Sequence, residues 1–91
     1  MIKIKNGKQL ERYFKGVANH HRIDILRLIE KEKVITLDGI TKRLEANFKT
    51  MSEHTRKLVH AGLVNKKYSG RAVIHTLSPY GKIFLSFMKS F

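Results

Sequence analysis

Residues 36–63, TLDGITKRLEANFKTMSEHTRKLVHAGL, contain two helical patterns separated by a very short turn. The first pattern begins at a Thr36 cap and carries apolar residues at helical spacing: Leu37, Ile40 and Leu44. The second carries a longer apolar face: Phe48, Met51, Thr55, Leu58 and Val59. Only Glu45-Ala46-Asn47 separates the two, and Gly62 follows where a left-handed residue commonly ends a helix. Two helices joined by so tight a turn predict a helix-turn-helix.

Two more helices and a short strand are predicted before this motif. An apolar stripe predicts a helix over 8–18: Leu10, Phe14 and Val17. Asn19 can cap a second helix over 20–32, whose apolar face is Ile23, Ile25, Leu26, Leu28 and Ile29. Val34-Ile35 form a short extended segment before the Thr36 cap.

A hairpin and a last helix are predicted after the motif. Two β-favouring runs, 63–68 and 72–77, surround the three-residue loop Ser69-Gly70-Arg71. Ser78-Pro79 provide a cap and a first-turn proline for a helix over 79–91. The order helix, helix, short strand, helix, helix, hairpin, helix predicts a mainly α (α+β) fold, the winged helix-turn-helix, as a single domain over residues 1–91.

The charge balance of the chain indicates a polyanionic partner. The 91 residues include 19 Lys and Arg against 7 Asp and Glu, which gives a net charge of +12. All of the acids lie within residues 1–53, so residues 54–91 carry basic charges alone. Such an excess repels itself in a compact chain and is typical of proteins that bind nucleic acid.

The sequence argues against an enzyme, a metalloprotein and a membrane protein. The absence of cysteine excludes disulfides, thiolate metal sites and a thiol nucleophile. No P-loop, nucleophile elbow or dinucleotide fingerprint is present, and the five histidines lack a metal-ligand spacing. We therefore expect no catalytic residue, no metal and no cofactor. Without a long apolar run, the expected location is the cytoplasm.

The polar face of the helix over 48–61 is the predicted reading surface. Asn47 is our preferred cap for this helix, and Thr50 with Glu53 in a capping box is the alternative. Opposite the apolar face, or at its flank, lie side chains suited to base edges and phosphates: Lys49, Thr50, Ser52, Glu53, Arg56, Lys57 and His60. Glu53 is expected to read a base or to pair with Lys49 or Lys57 at i, i+4 spacing.

The hairpin over 63–77 supplies further predicted contacts. Its basic residues Lys66, Lys67 and Arg71 are placed to reach phosphates or an adjacent minor groove. Exposed lysines on an edge strand also protect against aggregation, which is the alternative explanation for them. His75 alternates with Val73 and Leu77, so it is expected to be a partly buried structural residue.

The two terminal helices carry more aromatic surface than a domain of this size can easily hide. We predict that the helices over 8–18 and 79–91 join two copies of the chain symmetrically. The residues expected at this homodimer interface are Phe14, Ile83, Phe84, Phe87, Met88 and Phe91. The alternative is a monomer whose last helix folds over its own core.

Several segments resemble ArsR-like winged-helix repressors. Ala18–Leu26 resembles the entry to their second helix, and Ser52-Glu53-His54 with Ala61–Val64 resembles their recognition helix and its exit. Gly70-Arg71 stands where those proteins place the wing tip, whereas Leu77–Lys82 resembles the last-helix start of MarR-like regulators. The resemblance implies a DNA-binding repressor regulated by an inducer.

One departure from the ArsR-like pattern concerns metals. Metal-sensing members carry a Cys-containing box at the third helix, where this chain has Thr36–Gly39. Other members bind metal on the last helix through Asp, Glu and His, and residues 79–91 contain none of these. The sequence therefore disfavours sensing of a soft metal by either route.

These observations predict a sequence-specific, homodimeric DNA-binding transcriptional regulator, most simply a repressor. The helix over 48–61 enters the major groove of a pseudo-palindromic double-stranded operator, while the wing over 63–77 contacts the backbone or minor groove. An RNA-binding or ribosome-associated winged helix is the first alternative, since small size and high charge fit it equally well. A protein-interaction winged helix is the second.

Overall fold

Each helix in the computed structural model, which describes residues 4–91, begins at a polar side chain that accepts a hydrogen bond from its first turn. The helices are α1 (Gly7–Val17), α2 (His20–Glu32), α3 (Leu37–Arg43), α4 (Phe48–His60) and α5 (Pro79–Met88). Their caps are Asn6, Asn19, Thr36, Asn47 and Ser78. Asn47, rather than Thr50, caps α4, because its side chain accepts from the Thr50 backbone.

Three strands form an antiparallel sheet in the order β1-β3-β2. They are β1 (Ile35–Thr36), β2 (Val64–Ser69) and β3 (Ala72–Leu77), so the chain follows the predicted order α1-α2-β1-α3-α4-β2-β3-α5. Because Ser69 pairs with Ala72, the hairpin loop has two residues rather than the predicted three. Gly70 accommodates this tight loop with a φ of 60°, a left-handed value that favours glycine.

A single hydrophobic core lies between α2, α4, the sheet and α5. The predicted inner face of α2 is confirmed, with Ile25, Leu26, Leu28 and Ile29 buried. The largest fully buried side chains of the other elements and loops are Ile40, Met51, Leu58, Leu63, Leu85 and Val64. These contacts fix α3 and α4 as a helix-turn-helix beside the hairpin.

The end of α4 is locked to the hairpin and to α5. Gly62 has a φ of 80°, its N–H donates to Val59 O, and the Leu63 N–H donates to Leu58 O. This is a Schellman motif, which confirms Gly62 as the left-handed residue at the helix end, and Leu58 and Leu63 are both buried. The Ser78 hydroxyl then donates to Gly62 O at 2.6 Å. The hairpin therefore leaves α4 at a fixed angle.

The buried side of α1 differs from its apolar stripe, and two predictions, the burial of Phe48 and the end of the last helix, are wrong. Tyr13 and Gly16 join Val17 on the buried side of α1, while Leu10 and Phe14 of the predicted stripe are 42% and 51% exposed. Phe48 is 53% exposed, because it lies in the first turn of α4 at the edge of the buried face. The last helix ends at Met88 rather than at residue 91.

The strand and helix starts also differ slightly from expectation. The first strand begins at Ile35, which pairs with His75, whereas Val34 stays outside the sheet and exposed. The first helix begins one residue before the predicted range, because Asn6 and Gln9 form a reciprocal capping box. Within residues 4–91, no helix combines the length and apolar character that crossing a bilayer demands.

Candidate nucleic-acid interface

The solvent-facing side of α4 carries the polar residues that the sequence predicted there. Lys49, Glu53, Arg56 and His60 are exposed and, at 3.6 residues per turn, lie within about 60° of one another around the helix. Thr50 and Lys57 are exposed at the flanks, and Ser52 is half-buried. The capped first turn and the locked end hold this face on a rigid helix.

An ion pair on this face differs from the expected ones. Arg56 Nη2 lies 3.1 Å and 3.2 Å from the two carboxylate oxygens of Glu53. The sequence offered Lys49 or Lys57 as partners of Glu53, as an alternative to base reading, and the structure pairs it with Arg56 instead. The i, i+3 spacing serves the pair equally well, and the single nitrogen Nη2 contacts both carboxylate oxygens.

An open groove of about 590 Å³ separates α4 from the hairpin and from the start of α3. Its polar rim combines residues of both predicted contact elements: Ser52, Arg56 and His60 of α4 with Lys66 and Arg71 of the hairpin region. The Lys66 ammonium also lies 5.6 Å from the centre of the Tyr68 ring. The structure thus brings five of the predicted site residues to one surface.

Lys67 is not part of this groove. It pairs with Ile74 in the sheet register, one position from Lys66, which pairs with His75. Because successive side chains of a strand point to opposite faces, Lys66 and Lys67 face different sides of the hairpin. Thr50 lies beside the turn before α4, and Lys57 lies on the side of α4 nearest α1.

The groove also contains residues that sequence reasoning did not assign to a site. Phe48 and Tyr68 line it and are 53% and 68% exposed. Phe48 was assigned to the core because it fits the apolar period of α4. Tyr68 could have been assigned to the site from the sequence, since an aromatic residue next to lysines in a wing is suited to contact nucleic acid.

The floor of the groove is buried and unusually polar. Thr55 and His75 are 2% and 3% exposed, and within residues 4–91 neither Thr55 Oγ1 nor His75 Nδ1 has a hydrogen-bond partner. Burial lowers the pKa of His75, and the backbone of Ile35 partly offsets that effect. The prediction that His75 is a structural residue agrees with its position inside the sheet.

A histidine and arginine cluster lies on the other side of α4. Arg22 Nε donates to His54 Nδ1 at 3.2 Å, and the His21 ring stacks on His54 with centroids 5.1 Å apart. Burial, followed by the charge of Arg22, lowers the pKa of His54. Despite this clustering, residues 4–91 contain no group of three or more His, Cys, Asp or Glu arranged to hold a metal.

The outer face of α1 and α5 is an open apolar groove of about 320 Å³. Phe14 packs edge-to-face on Phe84 with ring centroids 5.2 Å apart. The predicted interface residues Phe14, Ile83, Phe87 and Phe91 are 51%, 59%, 51% and 92% exposed. Phe84 and Met88 are instead half-buried against the core of their own chain.

Solved structures with the same architecture include several transcriptional regulators. HlyU from Vibrio cholerae N16961 is 26% identical and superposes with a TM-score of 0.82 over 94% of each chain. The chain has the fold of the ArsR-like winged-helix regulators. No protein-family model matches it, and no curated protein is significantly similar in sequence.

Two further structures share this ArsR-like fold at lower identity. The winged helix-turn-helix DNA-binding domain of Mb0332 from Mycobacterium bovis, a homodimer and a possible ArsR-family transcriptional regulator, is 22% identical, with a TM-score of 0.81 over 99% of this chain and 89% of its own. The transcriptional repressor PagR of Bacillus anthracis is 17% identical, with a TM-score of 0.81 over 89% of this chain and 93% of its own. The resemblance seen in the sequence is therefore confirmed for the fold.

Proposed function

We propose that the chain is a sequence-specific, homodimeric DNA-binding transcriptional regulator that acts as a repressor. The observation that carries this proposal is the shared groove in which Ser52, Arg56 and His60 of α4 meet Lys66 and Arg71 of the hairpin region. A rigid helix with an adjacent basic wing matches the way winged helix-turn-helix proteins engage duplex DNA. The role is binding, in the cytoplasm, without a catalytic step or a cofactor.

The exposed face of α4 supplies chemistry suited to a major groove. Arg56 and Lys49 can donate to guanine O6 and N7, Glu53 can accept from cytosine N4, and Ser52 suits either role. Each such contact is typically worth about 1–3 kcal/mol of discrimination between bases. Thr50, Lys57 and His60 extend this set along the helix toward the phosphates.

The hairpin region supplies affinity rather than sequence reading. Lys66, Lys67 and Arg71 are exposed cations, and phosphate contacts by such groups set the register of a protein on DNA. The net charge of +12 favours the same partner. Binding should therefore weaken with salt by about 0.9 log units per log unit of salt for each phosphate neutralised.

The proposed dimer is formed by the predicted helices 8–18 and 79–91, seen in the structure as α1 and α5. Four of the six predicted interface side chains are at least half exposed. Phe14, Ile83 and Phe87 line one groove, Phe91 packs on Phe87, and a second copy would remove this apolar surface from water. The homodimeric domain of Mb0332 has the same fold. A two-fold axis would place two α4 helices about 34–36 Å apart, facing successive major grooves of a pseudo-palindromic operator.

Binding of this dimer to a promoter would repress transcription. PagR, which has the same fold, is a transcriptional repressor. A signal that changes the angle between the two subunits would change the spacing of the α4 helices and loosen the complex.

The test is a gel-shift series on a selected duplex and on random duplex DNA. Arg56→Ala should lower the preference for the selected site, because it removes a base contact. Arg71→Ala should weaken binding to both duplexes about equally, because it removes a phosphate contact. Identical discrimination by Arg56→Ala and the unaltered protein would reject the assigned role of Arg56.

A further inference from the structure

The C-terminal half of α1 is docked against the end of α4 on the side away from the wing. A Cβ placed on Gly16 would lie 2.3 Å from Ala61 Cβ, so the two backbones come closer than any other residue at position 16 would permit. Arg22 Nη1 also donates to the carbonyl oxygens of Lys15 at 3.0 Å and of Gly16 at 3.2 Å. These contacts fix α1 relative to the proposed reading helix.

The groove between these two helices is bordered by positive charge. It has a volume of about 530 Å³, and five of its lining residues are cations: Arg12, Lys15, Arg22, Arg56 and Lys57. Lys15 pairs with exposed Glu11 at 3.6 Å, whereas within residues 4–91 neither Arg12 nor Lys57 is in an ion pair. The local charge is therefore only partly neutralised by the chain itself.

Arg22 differs from the other cations because its Nε and Nη1 donors both bond to neighbouring helices. Its Nε bonds His54 and its Nη1 bonds the end of α1. Of the two roles that fit Arg22, phosphate contact and packing at the start of α2, the structure favours packing. Arg22 is a positioning residue. Arg12 and Lys15 are exposed at the groove, and Arg12 Nη2 also donates to the Tyr13 hydroxyl at 3.5 Å.

This basic groove and the wing groove lie on opposite flanks of α4. Ser52 and Val59 face the wing groove, while Lys57 and Ala61 face α1, about 150° away around the helix. Arg56 and His60 line both grooves, so the reading face lies between them. A major groove about 12 Å wide is likewise bounded on each side by a phosphate backbone.

We infer that Arg12 and Lys15 of α1 bind the DNA backbone that borders the major groove on the side opposite the wing. The inference rests on the proposed function, since it concerns the same duplex. Phosphate contacts on both flanks of α4 would hold the helix at one depth and angle in the groove. These contacts add affinity and register but carry no sequence information.

The test compares two double variants that lose the same charge. Arg12→Ala with Lys15→Ala should lower the slope of log K against log salt by about 1–2, since each lost phosphate contact is worth about 0.9. The ratio of selected-site to random-duplex affinity should stay unchanged. Arg27→Ala with Lys31→Ala removes two exposed cations of α2 outside the groove and should leave the slope near that of the unaltered protein.

The remaining outcomes separate this inference from the proposed function. Arg12→Lys with Lys15→Arg keeps both charges and should retain the slope of log K against log salt. If these side chains had a purely structural role, this exchange would not restore the slope. Equal slopes for the two alanine double variants, with specific binding by the unaltered protein, would overturn the inference alone. Failure of the unaltered protein to bind any duplex would overturn both proposals.

Discussion

Arg56 and Glu53 form an ion pair on the exposed face of α4, with Arg56 Nη2 3.1 Å from the nearer carboxylate oxygen. Both side chains are 55% exposed, so the pair contributes little to stability in water. Its consequence is positional, because the carboxylate restricts the guanidinium to one part of the reading face. A base can then be approached by an arginine that is already oriented.

Glu53→Gln should therefore reduce specificity while increasing affinity for random DNA. The neutral amide holds Arg56 less strongly and no longer repels phosphates, so the selected-site preference should fall by about 5-fold to 150-fold, equivalent to about 1–3 kcal/mol. Competition gel shifts with selected and random duplexes measure both effects. The control is Glu30→Gln, which removes the same charge from an ion pair between α2 and Lys89. It should change neither the selected-site preference nor the affinity for random DNA. Unchanged discrimination in Glu53→Gln would contradict this role.

Phe87→Glu should convert the protein to monomers and weaken DNA binding. Phe87 is 51% exposed on the outer face of α5, and a carboxylate there cannot be buried without a large desolvation cost. Sedimentation equilibrium gives the mass directly. Tyr68→Glu places the same charge on a more exposed aromatic position of the hairpin and should leave the dimer intact. The dimer proposal fails if the unaltered protein sediments as a monomer, or if Phe87→Glu remains dimeric.

Gly16→Ala should destabilise the fold by about 1–3 kcal/mol, the usual range for an overpacked site. The added methyl group would meet Ala61 Cβ at 2.3 Å and push α1 away from α4. Gly7→Ala is a matched control, because a Cβ there meets nothing within 4 Å and should be neutral or slightly stabilising. Urea unfolding of both variants gives the comparison. Equal stability would mean that α1 is not docked as described.

Stability should decrease when the pH falls below about 6.5, the ordinary histidine value. The folded protein holds the pKa of both His54 and His75 below that value, chiefly through burial. As the pH falls, the unfolded chain therefore takes up protons before the folded chain does. Each unit by which the folded pKa lies below the unfolded pKa contributes about 1.4 kcal/mol to the free energy of unfolding at neutral pH, and this contribution is lost as the pH falls through the folded pKa. Protonation of His54 Nδ1 would also remove the acceptor for Arg22.

Urea unfolding at pH 7.5 and at pH 5 tests this dependence. The free energy of unfolding should be lower at pH 5, and His75→Leu should reduce the difference because it removes one of the two shifted groups. Greater stability at pH 5 than at pH 7.5 would contradict the lowered pKa assigned to His54 and to His75.

Local signals in the sequence were sufficient to predict the elements. The caps at Asn19, Thr36, Asn47 and Ser78 and the glycine at Gly62 act within one turn of chain, so their chemistry can be read from neighbouring residues. Apolar residues recur every three or four positions in the helices and at every second position in strands, and this change of period predicted the order of helices and hairpin. All of these features are determined by residues close in sequence.

Features that depend on distant contacts were not predicted. Tyr13 rather than Phe14 faces the core because α1 is oriented by its contact with Ala61 and by Arg22. The basic groove beside α4 was missed for the same reason, since Arg12 and Lys15 reach it only through that docking. Glu53 had basic neighbours at three spacings, and the sequence could not decide which one it would pair with.

The central claim is that α4 and the wing of a symmetric dimer read duplex DNA. Selection of bound sites from a random duplex library, followed by sequencing, tests it most directly. The expected result is a two-fold symmetric consensus whose half-sites are about one helical turn apart, 10–10.5 base pairs. Recovery of no consensus, together with tighter binding to structured RNA than to any duplex, would contradict the claim.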